Sequence, residues 1–340
     1  MMNMLKITTL AVCVAAVIGC TDNAKPTDTQ ANDSSELKPA KTIAITTIVD
    51  HPSLNKIHQG VVEGLGKYGY IEGQNLTVNF QTAQGNMATA GQIAKQFAAD
   101  NPDVIVAIST PSAQAVVSAT QSIPVVYSAV YDPVAAKLIN SDNQPIQANV
   151  TGLSNQIPLV PQIDLLQRVV PNAKRVGFVY SPGEANSVSL KDRLKTELDK
   201  RGLTLMDIPA NRSADIAVAT RALDGRADVI YTANDNNVAS AFEAMAKVAG
   251  DMKMPIVVGD ENIMRRGAAA AMGMNDYEFG VETAEMVAQV LDGVPPSDVK
   301  PKIGGVLTMF ASPKFAANQG ITLPADVLAE AVNIDDEAAK

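Results

Sequence analysis

The chain has 340 residues, of which 46% are apolar and only 4% aromatic, and its formal net charge is −9 at pH 7. This length supports two domains with sizeable cores, which must be built mainly from Ala, Val, Ile and Leu. The acidic balance and the lack of a basic stripe argue against nucleic-acid binding.

The first 41 residues predict export and tethering. Lys6 precedes an apolar run over residues 7–18, the order of a secretory signal, and this run is too short to span a membrane. It ends in Val17-Ile18-Gly19-Cys20, which resembles a bacterial lipobox. Residues 1–19 are therefore predicted to be a lipoprotein signal peptide and Cys20 the lipidated first residue of the mature chain; the alternative is an ordinary signal with a chance cysteine. The polar residues 20–41 predict a disordered tether.

Short apolar strands alternate with helices along the next part of the chain. Strands are predicted over residues 42–49, 75–80, 104–108 and 124–128, with helices between them. The strand at 104–108 leads directly into Ser109-Thr110-Pro111, a helix-start signal. Free backbone N–H groups at such a helix start suit a carboxylate or phosphate.

The same alternation restarts after a crossing strand at residues 149–153 and ends with a long helix over residues 277–291 and a strand near 305–310. It predicts an α/β fold of two doubly wound parallel-sheet lobes joined by a hinge. We assign residues 42–152 plus 275–300 to the N-terminal lobe and 153–274 plus 301–340 to the C-terminal lobe. Bending is expected near residues 149–153, 274–277 and 301–305.

Polar residues follow the predicted strands, at the edge where open parallel sheets bind ligands. They are His51, Gln84, Ser109, Thr110 and Asp132 in the first lobe, and Glu184, Asn186, Asp235, Asn236 and Asp260 in the second. Each one alone also fits a helix cap or a turn. The run Asn234-Asp235-Asn236-Asn237 exceeds what one cap requires, so a ligand site between the lobes is the favoured interpretation.

Signatures of catalysis are missing from the sequence. It contains neither a G-x-S-x-G elbow nor a P-loop, and its two histidines, His51 and His58, lack the spacing of a helical zinc site. The G-x-G-x-x-G match at residues 64–69 falls at a helix end, which is the wrong context for a dinucleotide site. We predict a binding protein without a cofactor or a bound metal, and not an enzyme.

Several segments together resemble a known family. They include Asp50-His51-Pro52-Ser53, Ala83-Gln84-Gly85-Asn86, Ser109-Thr110-Pro111, Glu184-Ala185-Asn186-Ser187 and Asp235-Asn236. The sequence resembles bacterial ABC-transporter solute-binding lipoproteins of the tryptophan/tyrosine type, which have the type I periplasmic-binding-protein fold, from about residue 41 to 324. It departs from that pattern at Asn234, where Thr is expected, and at Tyr131, where a small polar residue is common.

The resemblance implies capture of an aromatic amino acid (tryptophan, phenylalanine or tyrosine) between closing lobes, and its delivery to a membrane permease and its ATPase. It also implies an extracytoplasmic protein, periplasmic or at the cell surface, held to the membrane only through Cys20. The helix start at Ser109 and Thr110 would bind the carboxylate of the ligand. Asp235, or else Glu184, would bind its ammonium group, and Tyr131 or the backbone around Ala129 would lie against its side chain. The alternatives are another small solute (a nucleoside, a sugar or a different amino acid) or a ligand-sensing subunit of a membrane signalling system.

Overall fold

The computed structural model describes residues 38–337, which contain thirteen strands and thirteen helices. The strands are β1 (Lys41–Thr47), β2 (Leu76–Thr82), β3 (Val104–Ile108), β4 (Val125–Val130), β5 (Val150–Ser154), β6 (Arg175–Tyr180), β7 (Thr204–Pro209), β8 (Val229–Thr232), β9 (Ile256–Val258), β10 (Ala270–Gly273), β11 (Lys302–Ile303), β12 (Thr308–Ala311) and β13 (Val332–Asn333). The helices are α1 (Pro52–Gly66), α2 (Met87–Asp100), α3 (Thr110–Ala119), α4 (Leu159–Val169), α5 (Ala185–Asp199), α6 (Ile216–Arg221), α7 (Asn236–Ser240), α8 (Phe242–Met252), α9 (Glu261–Met264), α10 (Asp276–Leu291), α11 (Pro313–Asn318), α12 (Ala325–Glu330) and α13 (Ile334–Glu337).

The first lobe is built on a six-stranded sheet in the order β11-β5-β4-β3-β1-β2. All its neighbouring strands are parallel. Every residue of β3 is buried, because helices cover both faces of the sheet and its sequence VIVAI has no polar side to turn outward. The long helix α10 returns to this lobe and packs against α1.

Two glycines allow the close approach of α1 and α10. A Cβ atom at Gly60 would lie 2.1 Å from the carbonyl oxygen of Tyr277, and one at Gly280 would lie 2.2 Å from the carbonyl oxygen of Ile57. Neither position tolerates a side chain without moving a helix. This contact fixes α1, whose N-terminus carries His51 and Ser53, relative to the start of α10.

The second lobe is built on a seven-stranded sheet in the order β13-β12-β10-β9-β8-β6-β7. Its pairs are parallel except for β10 and β12, which are antiparallel. An apolar cluster packs on each face of the sheet. The predicted α/β class with two parallel-sheet lobes is therefore confirmed, with two reversed strands, β12 and β13, that the sequence pattern did not indicate.

Three segments join the two sheets: residues 155–158, 274–275 and 304–307. Residues 150–154 are a regular member of the first sheet, so the first crossing comes a few residues later than the predicted 149–153. The last crossing also starts later than the assigned boundary at residue 300, because Lys302 pairs with Leu153 and Gly304 N–H donates to Ser154. Residues 302–303 thus belong with the first sheet.

Local differences from the predicted elements have local causes. The helical segment after β8 is split into α7 and α8, because Ala241 leaves helical geometry with φ −114° and ψ 25°. The strand predicted near residues 305–310 lies at residues 308–311, and the short elements α11, α12, β13 and α13 follow it. Cys20 and the predicted signal and tether lie outside the described residues, apart from the last few residues before β1. Within residues 38–337, no helix is long and apolar enough to cross a membrane.

Candidate ligand-binding site

A cavity of about 50 Å³ lies between the lobes, where the carboxyl ends of both sheets face each other. Its lining comes from both lobes and from the crossing at residues 155–158: His51, Ser53, Leu54, Ile57, Thr110, Ala129, Tyr131, Asn155, Asn186, Asn234, Asp235, Asn236, Ala239, Asp260, Ile263 and Asp276.

Eight of the predicted site residues line this cavity. They are His51, Thr110, Ala129, Tyr131, Asn186, Asp235, Asn236 and Asp260. The other four predicted residues, Gln84, Ser109, Asp132 and Glu184, are close to it in sequence but have other roles in the structure.

Gln84 and Ser109 both occupy left-handed backbone positions directly after a strand, with φ of 52° and 86°. The side chain of Gln84 is exposed to solvent in the turn before α2. Ser109 is the residue before α3, and its hydroxyl donates to Ser112 Oγ at 3.3 Å, within the first lobe. Their conformations place the following residues and leave their own side chains outside the cavity.

Asp132 connects the lobes instead of facing the cavity. Its Oδ1 accepts a hydrogen bond from Ala135 N–H at 2.9 Å, and its Oδ2 accepts one from the hydroxyl of Ser189 on α5. Since Asp132 follows the first-lobe strand β4 and α5 belongs to the second lobe, this hydrogen bond joins the two lobes.

Glu184 lies behind the cavity wall. Its Oε2 accepts from Asn186 Nδ2 at 2.8 Å, from Asn236 Nδ2 at 2.6 Å and from Asn236 N–H at 3.2 Å. Burial raises the pKa of Glu184 to about 7, and the Asp235 charge adds to this effect. Glu184 therefore orients two asparagines that do line the cavity.

Asp235 lines the cavity, but protein donors occupy its carboxylate. Its Oδ1 accepts from Ser181 Oγ at 2.9 Å and from Val238 N–H at 2.9 Å, and its Oδ2 accepts from Ser181 N–H at 2.7 Å and from Ser187 Oγ. These four bonds use the four lone-pair sites of a carboxylate. The ammonium role that the resemblance gave to Asp235 is thus disfavoured, because Asp235 serves to join β6, α5 and α7.

Other polar atoms in the lining have no protein partner. Among the described residues, buried and unpartnered atoms in the cavity are His51 Nδ1, Thr110 Oγ1, Tyr131 OH, Asn155 Oδ1 and Asn186 Oδ1. Buried polar groups are normally hydrogen-bonded, because leaving one unpaired costs about 1–3 kcal/mol. Five such atoms around one cavity indicate a polar ligand.

The electrostatics of the cavity favour a positively charged group on that ligand. Three carboxylates line it, those of Asp235, Asp260 and Asp276, and the lining includes no lysine or arginine. Burial lowers the pKa of His51 to about 4, so its imidazole is neutral at pH 7. The neutral ring can hydrogen-bond a ligand through Nδ1 without repelling a cation.

Strained backbone positions shape the two walls. Ala129 has φ 53° at an irregularity in the pairing of β4 with β5, and Asn234 has φ 47° directly after β8. Such bulges redirect the chain and cluster at functional sites. The irregularity at Ala129 precedes Tyr131, the one Phe, Tyr or Trp residue of the lining, whose ring lies 5.4 Å from the Arg193 guanidinium of the second lobe.

Eight lining residues were not among the predicted site residues, although the sequence already placed one of them, Asn234, near the cleft: Ser53, Leu54, Ile57, Asn155, Asn234, Ala239, Ile263 and Asp276. The apolar ones sit on the first turns of helices and have the spacing of ordinary core residues. Asp276 follows Asn275, the cap residue of α10, and this helix-start signal was present in the sequence. Its approach to the cavity depends on the crossing at residues 274–275.

The family model for ABC transporter substrate-binding proteins matches residues 42–334. The chain belongs to this family. As a member it is a substrate-binding protein and not an enzyme. One relative is a tyrosine-binding protein from Clostridioides difficile, which is 34% identical over 286 residues, covering 84% of this chain and 83% of the relative.

Solved structures of similar proteins also match this substrate-binding protein. A conserved domain protein from Vibrio cholerae is 44% identical, with a TM-score of 0.84 over 87% of this chain and 99% of that one. An ABC domain from Streptococcus pneumoniae in complex with L-Trp is 31% identical, with a TM-score of 0.82 over 86% and 99%. A ligand-free, open substrate-binding protein from Clostridium difficile is 34% identical over the same shares, but its TM-score is 0.65. These neighbours have the type I periplasmic-binding-protein fold.

Proposed function

We propose that this substrate-binding protein captures an aromatic amino acid in the cavity between its lobes and delivers it to an ABC importer. The observation that carries the proposal is the cavity itself. It combines three carboxylates and five unpartnered polar atoms with the apolar side chains of Leu54, Ile57, Ala239 and Ile263. The charged groups of an amino acid match the polar groups of the cavity, and a flat apolar side chain matches its apolar residues. Relatives named for tyrosine binding and crystallised with L-Trp give the proposal independent support.

The carboxylate of the ligand fits the first-lobe wall. Thr110 is the first residue of α3, and its hydroxyl oxygen is buried without a partner. Helix N-termini attract anions through free N–H groups and the helix dipole, and the first turn of α3 contains no acidic residue that would oppose that attraction. The hydroxyl and the helix start together form the carboxylate site, as the resemblance implied for Thr110.

The apolar part of the ligand fits between both lobes. Leu54 and Ile57 lie one turn apart on α1, and Ile263 faces them from α9. The buried Tyr131 ring closes one side of the cavity. Apolar surface with a few polar anchors is the usual composition of a small-molecule site.

Capture by closure is supported by contacts that join the lobes. Ser53 Oγ on α1 donates to Asp260 Oδ1 at 3.0 Å, and Ser189 on α5 donates to Asp132. The TM-score is also higher with the L-Trp complex (0.82) than with the ligand-free open structure (0.65), although the sequence identities are similar. These observations fit a closed state of a hinged protein.

The ligand test uses an unusual property of the sequence, which contains no tryptophan. Tryptophan bound in the cavity should emit at shorter wavelength and with higher anisotropy than in water. We expect tyrosine and phenylalanine to compete with it, and glutamate, lysine and leucine to fail. An unchanged emission spectrum, together with tight binding of a nucleoside or a sugar, would overturn the aromatic ligand and leave the family assignment intact.

Delivery to a permease requires a protein held outside the cytoplasm, and the proposed anchor is a lipid on Cys20. Cys20 lies outside the described residues, so this part rests on the lipobox-like sequence that ends in it. Replacing it by Cys20→Ser should release the domain from membranes or block removal of the signal. Normal processing with continued membrane attachment would contradict the anchor.

A further inference from the structure

Asp260 and Asp276 are buried carboxylates of the cavity that lack a positively charged partner. Asp260 follows β9 in the second sheet, whereas Asp276 is the first residue of α10, which packs in the first lobe. Neither takes part in an ion pair with the lysines and arginines of residues 38–337, and the nearby Arg266 pairs with Glu243.

Neighbouring contacts hold both carboxylates at one end of the cavity. Ser53 donates to Asp260 Oδ1 at 3.0 Å, and Asn262 Nδ2 donates to Asp276 Oδ2 at 2.6 Å. A Cβ atom at Gly273 would lie only 3.1 Å from Asp260 Cα, so the chain that leads into the crossing runs directly against Asp260. Asp276 comes three residues later.

Protein hydrogen bonds do not saturate these two groups. Asp260 Oδ1 accepts from Ser53 and from Ile263 N–H, and the Asn262 N–H also interacts with this carboxylate. Asp276 Oδ2 accepts from Asn262 Nδ2, and the Ser53 hydroxyl also interacts with the Asp276 carboxylate. Asp235, by contrast, receives four. Lone pairs on Asp260 and Asp276 therefore remain for a ligand, whereas those of Asp235 are used.

The two charges oppose each other in an environment of low polarity. Burial raises the pKa of both carboxyl groups, and the neighbouring Asp260 raises the pKa of Asp276 further. Like charges in a buried site repel, and a cation between them offsets both the repulsion and the loss of hydration.

A second observation points to a ligand at the same place. His51 Nδ1, Thr110 Oγ1 and Asn155 Oδ1 are buried in this cavity without protein partners, and their residues are 7%, 2% and 8% exposed. The two carboxylates therefore line a cavity in which other buried polar groups also lack hydrogen-bond partners.

We propose that Asp260 and Asp276 together bind the α-ammonium group of the amino acid, and that this group permits the two lobes to close. The inference rests on the proposed function. One carboxylate follows a second-lobe strand and the other begins a first-lobe helix, so the ammonium group joins the lobes. Without it, their repulsion favours the open state.

The test compares ligands that each lack one charge. Calorimetry would measure the affinity of L-tryptophan, of indole-3-propionate, which lacks the ammonium group, and of tryptamine, which lacks the carboxylate. The wild-type protein should prefer L-tryptophan over indole-3-propionate by at least about 30-fold, as expected when buried charges lose their partner. In D276N and in D260N this preference should fall about tenfold or more, while indole-3-propionate still binds.

The outcomes separate this inference from the proposed function. The ammonium site would be overturned if both folded variants kept the wild-type preference for L-tryptophan over indole-3-propionate. It would also be overturned if the affinities for the two ligands fell equally. A wild-type protein that binds no aromatic amino acid would overturn the proposed function instead. Asp251→Asn is the matched control, because Asp251 is half exposed on α8, pairs with Lys247 and should leave the preference as in the wild type.

Small-angle scattering tests the closure part. Ligand-free wild-type protein should be open and should become more compact with L-tryptophan. Ligand-free D276N and D260N should already be more compact than the ligand-free wild type, because the repulsion between the carboxylates is removed. Ligand-free variants as open as the wild type would contradict the proposed coupling.

Discussion

On the first-lobe side of the cavity, the starts of α1 and α3 present the imidazole of His51 and the hydroxyls of Ser53 and Thr110, whereas the second-lobe side contributes the carboxylates of Asp235 and Asp260. The starts of α1 and α3 bring no charged side chain into the lining, and the carboxylate that the first lobe adds, Asp276, stands at the start of α10. The second-lobe helices α7 and α9 are short. An amino acid in the cavity would thus point its carboxylate toward the start of α3 and its ammonium group toward Asp260 and Asp276.

The cavity lining also contains two kinds of polar group: those whose hydrogen bonds are made within the protein, and those without a protein partner. Asp235 receives four hydrogen bonds, whereas Thr110 Oγ1 receives none from the protein. Substituting a residue of the first kind should lower the free energy of unfolding even without ligand. Substituting a residue of the second kind should lower the affinity for the ligand and leave the free energy of unfolding nearly unchanged. Three substitutions test this division, and two of them are compared with a matched second variant.

The largest effect is expected for Asp235→Asn in the absence of ligand. The new amide would present N–H groups to donors, such as the Ser181 N–H and the Ser187 hydroxyl, and leave them unpaired. We expect the free energy of unfolding to fall by about 3 kcal/mol. Urea denaturation followed by circular dichroism measures this.

The matched comparison is Asp276→Asn, which keeps an acceptor for Asn262 and removes a buried charge. Its stability without ligand should equal or exceed that of the wild type. Equal losses of stability in the two variants would show that Asp276 is needed for folding as much as Asp235 is.

A medium effect on the free energy of unfolding is expected for Glu184→Gln, and this effect depends on pH. Burial raises its pKa from 4.5 in the ordinary group to about 7 in the folded protein. The folded state therefore holds this proton more tightly than the unfolded state between these pH values, and stability falls as pH rises through that window. This decrease in the free energy of unfolding is complete above pH 7. In the Glu184→Gln variant the decrease should be smaller by about 2 kcal/mol.

Thermal denaturation of both proteins at pH 5 and pH 8 checks this. Asp235, Asp260 and Asp276 also have raised pKa values, so a smaller slope of the same sign should remain in the variant. A wild-type protein that is more stable at pH 8 than at pH 5 would contradict the expected sign.

The smallest effect is expected for Thr110→Val, which removes an unpartnered hydroxyl. Stability without ligand should be unchanged or slightly higher, and the affinity for the amino acid should fall by about 1 kcal/mol, roughly fivefold. Thr283→Val is the control with the opposite pattern. The Thr283 hydroxyl is buried in the first lobe and bonds Ser128 and the Phe279 carbonyl, so stability should fall while affinity stays the same.

Much of the fold followed from local sequence. Buried parallel strands such as β3 contain uninterrupted apolar residues, and helices such as α2 begin at a capping residue, Asn86, whose side chain accepts from Ala88 and Thr89 N–H. These signals depend on nearest neighbours along the chain. The reversed strand β12 and the late crossing after β11 were not predictable in this way, because both are set by pairing with strands distant in sequence.

The order of residues along the chain alone places polar side chains after the strands of both lobes, and hence indicates the edge at which a ligand binds. Which of these side chains face the cavity depends on the tertiary structure. Asp132 and Asp235 look alike in sequence, as acidic residues after apolar strands, yet one pairs with Ser189 outside the cavity and the other lines it while bonded to four donors. Asp276 reaches the cavity only because the chain crosses between lobes at residues 274–275. Hydrogen-bond partners and crossings join residues far apart in the chain, so no local pattern encodes them.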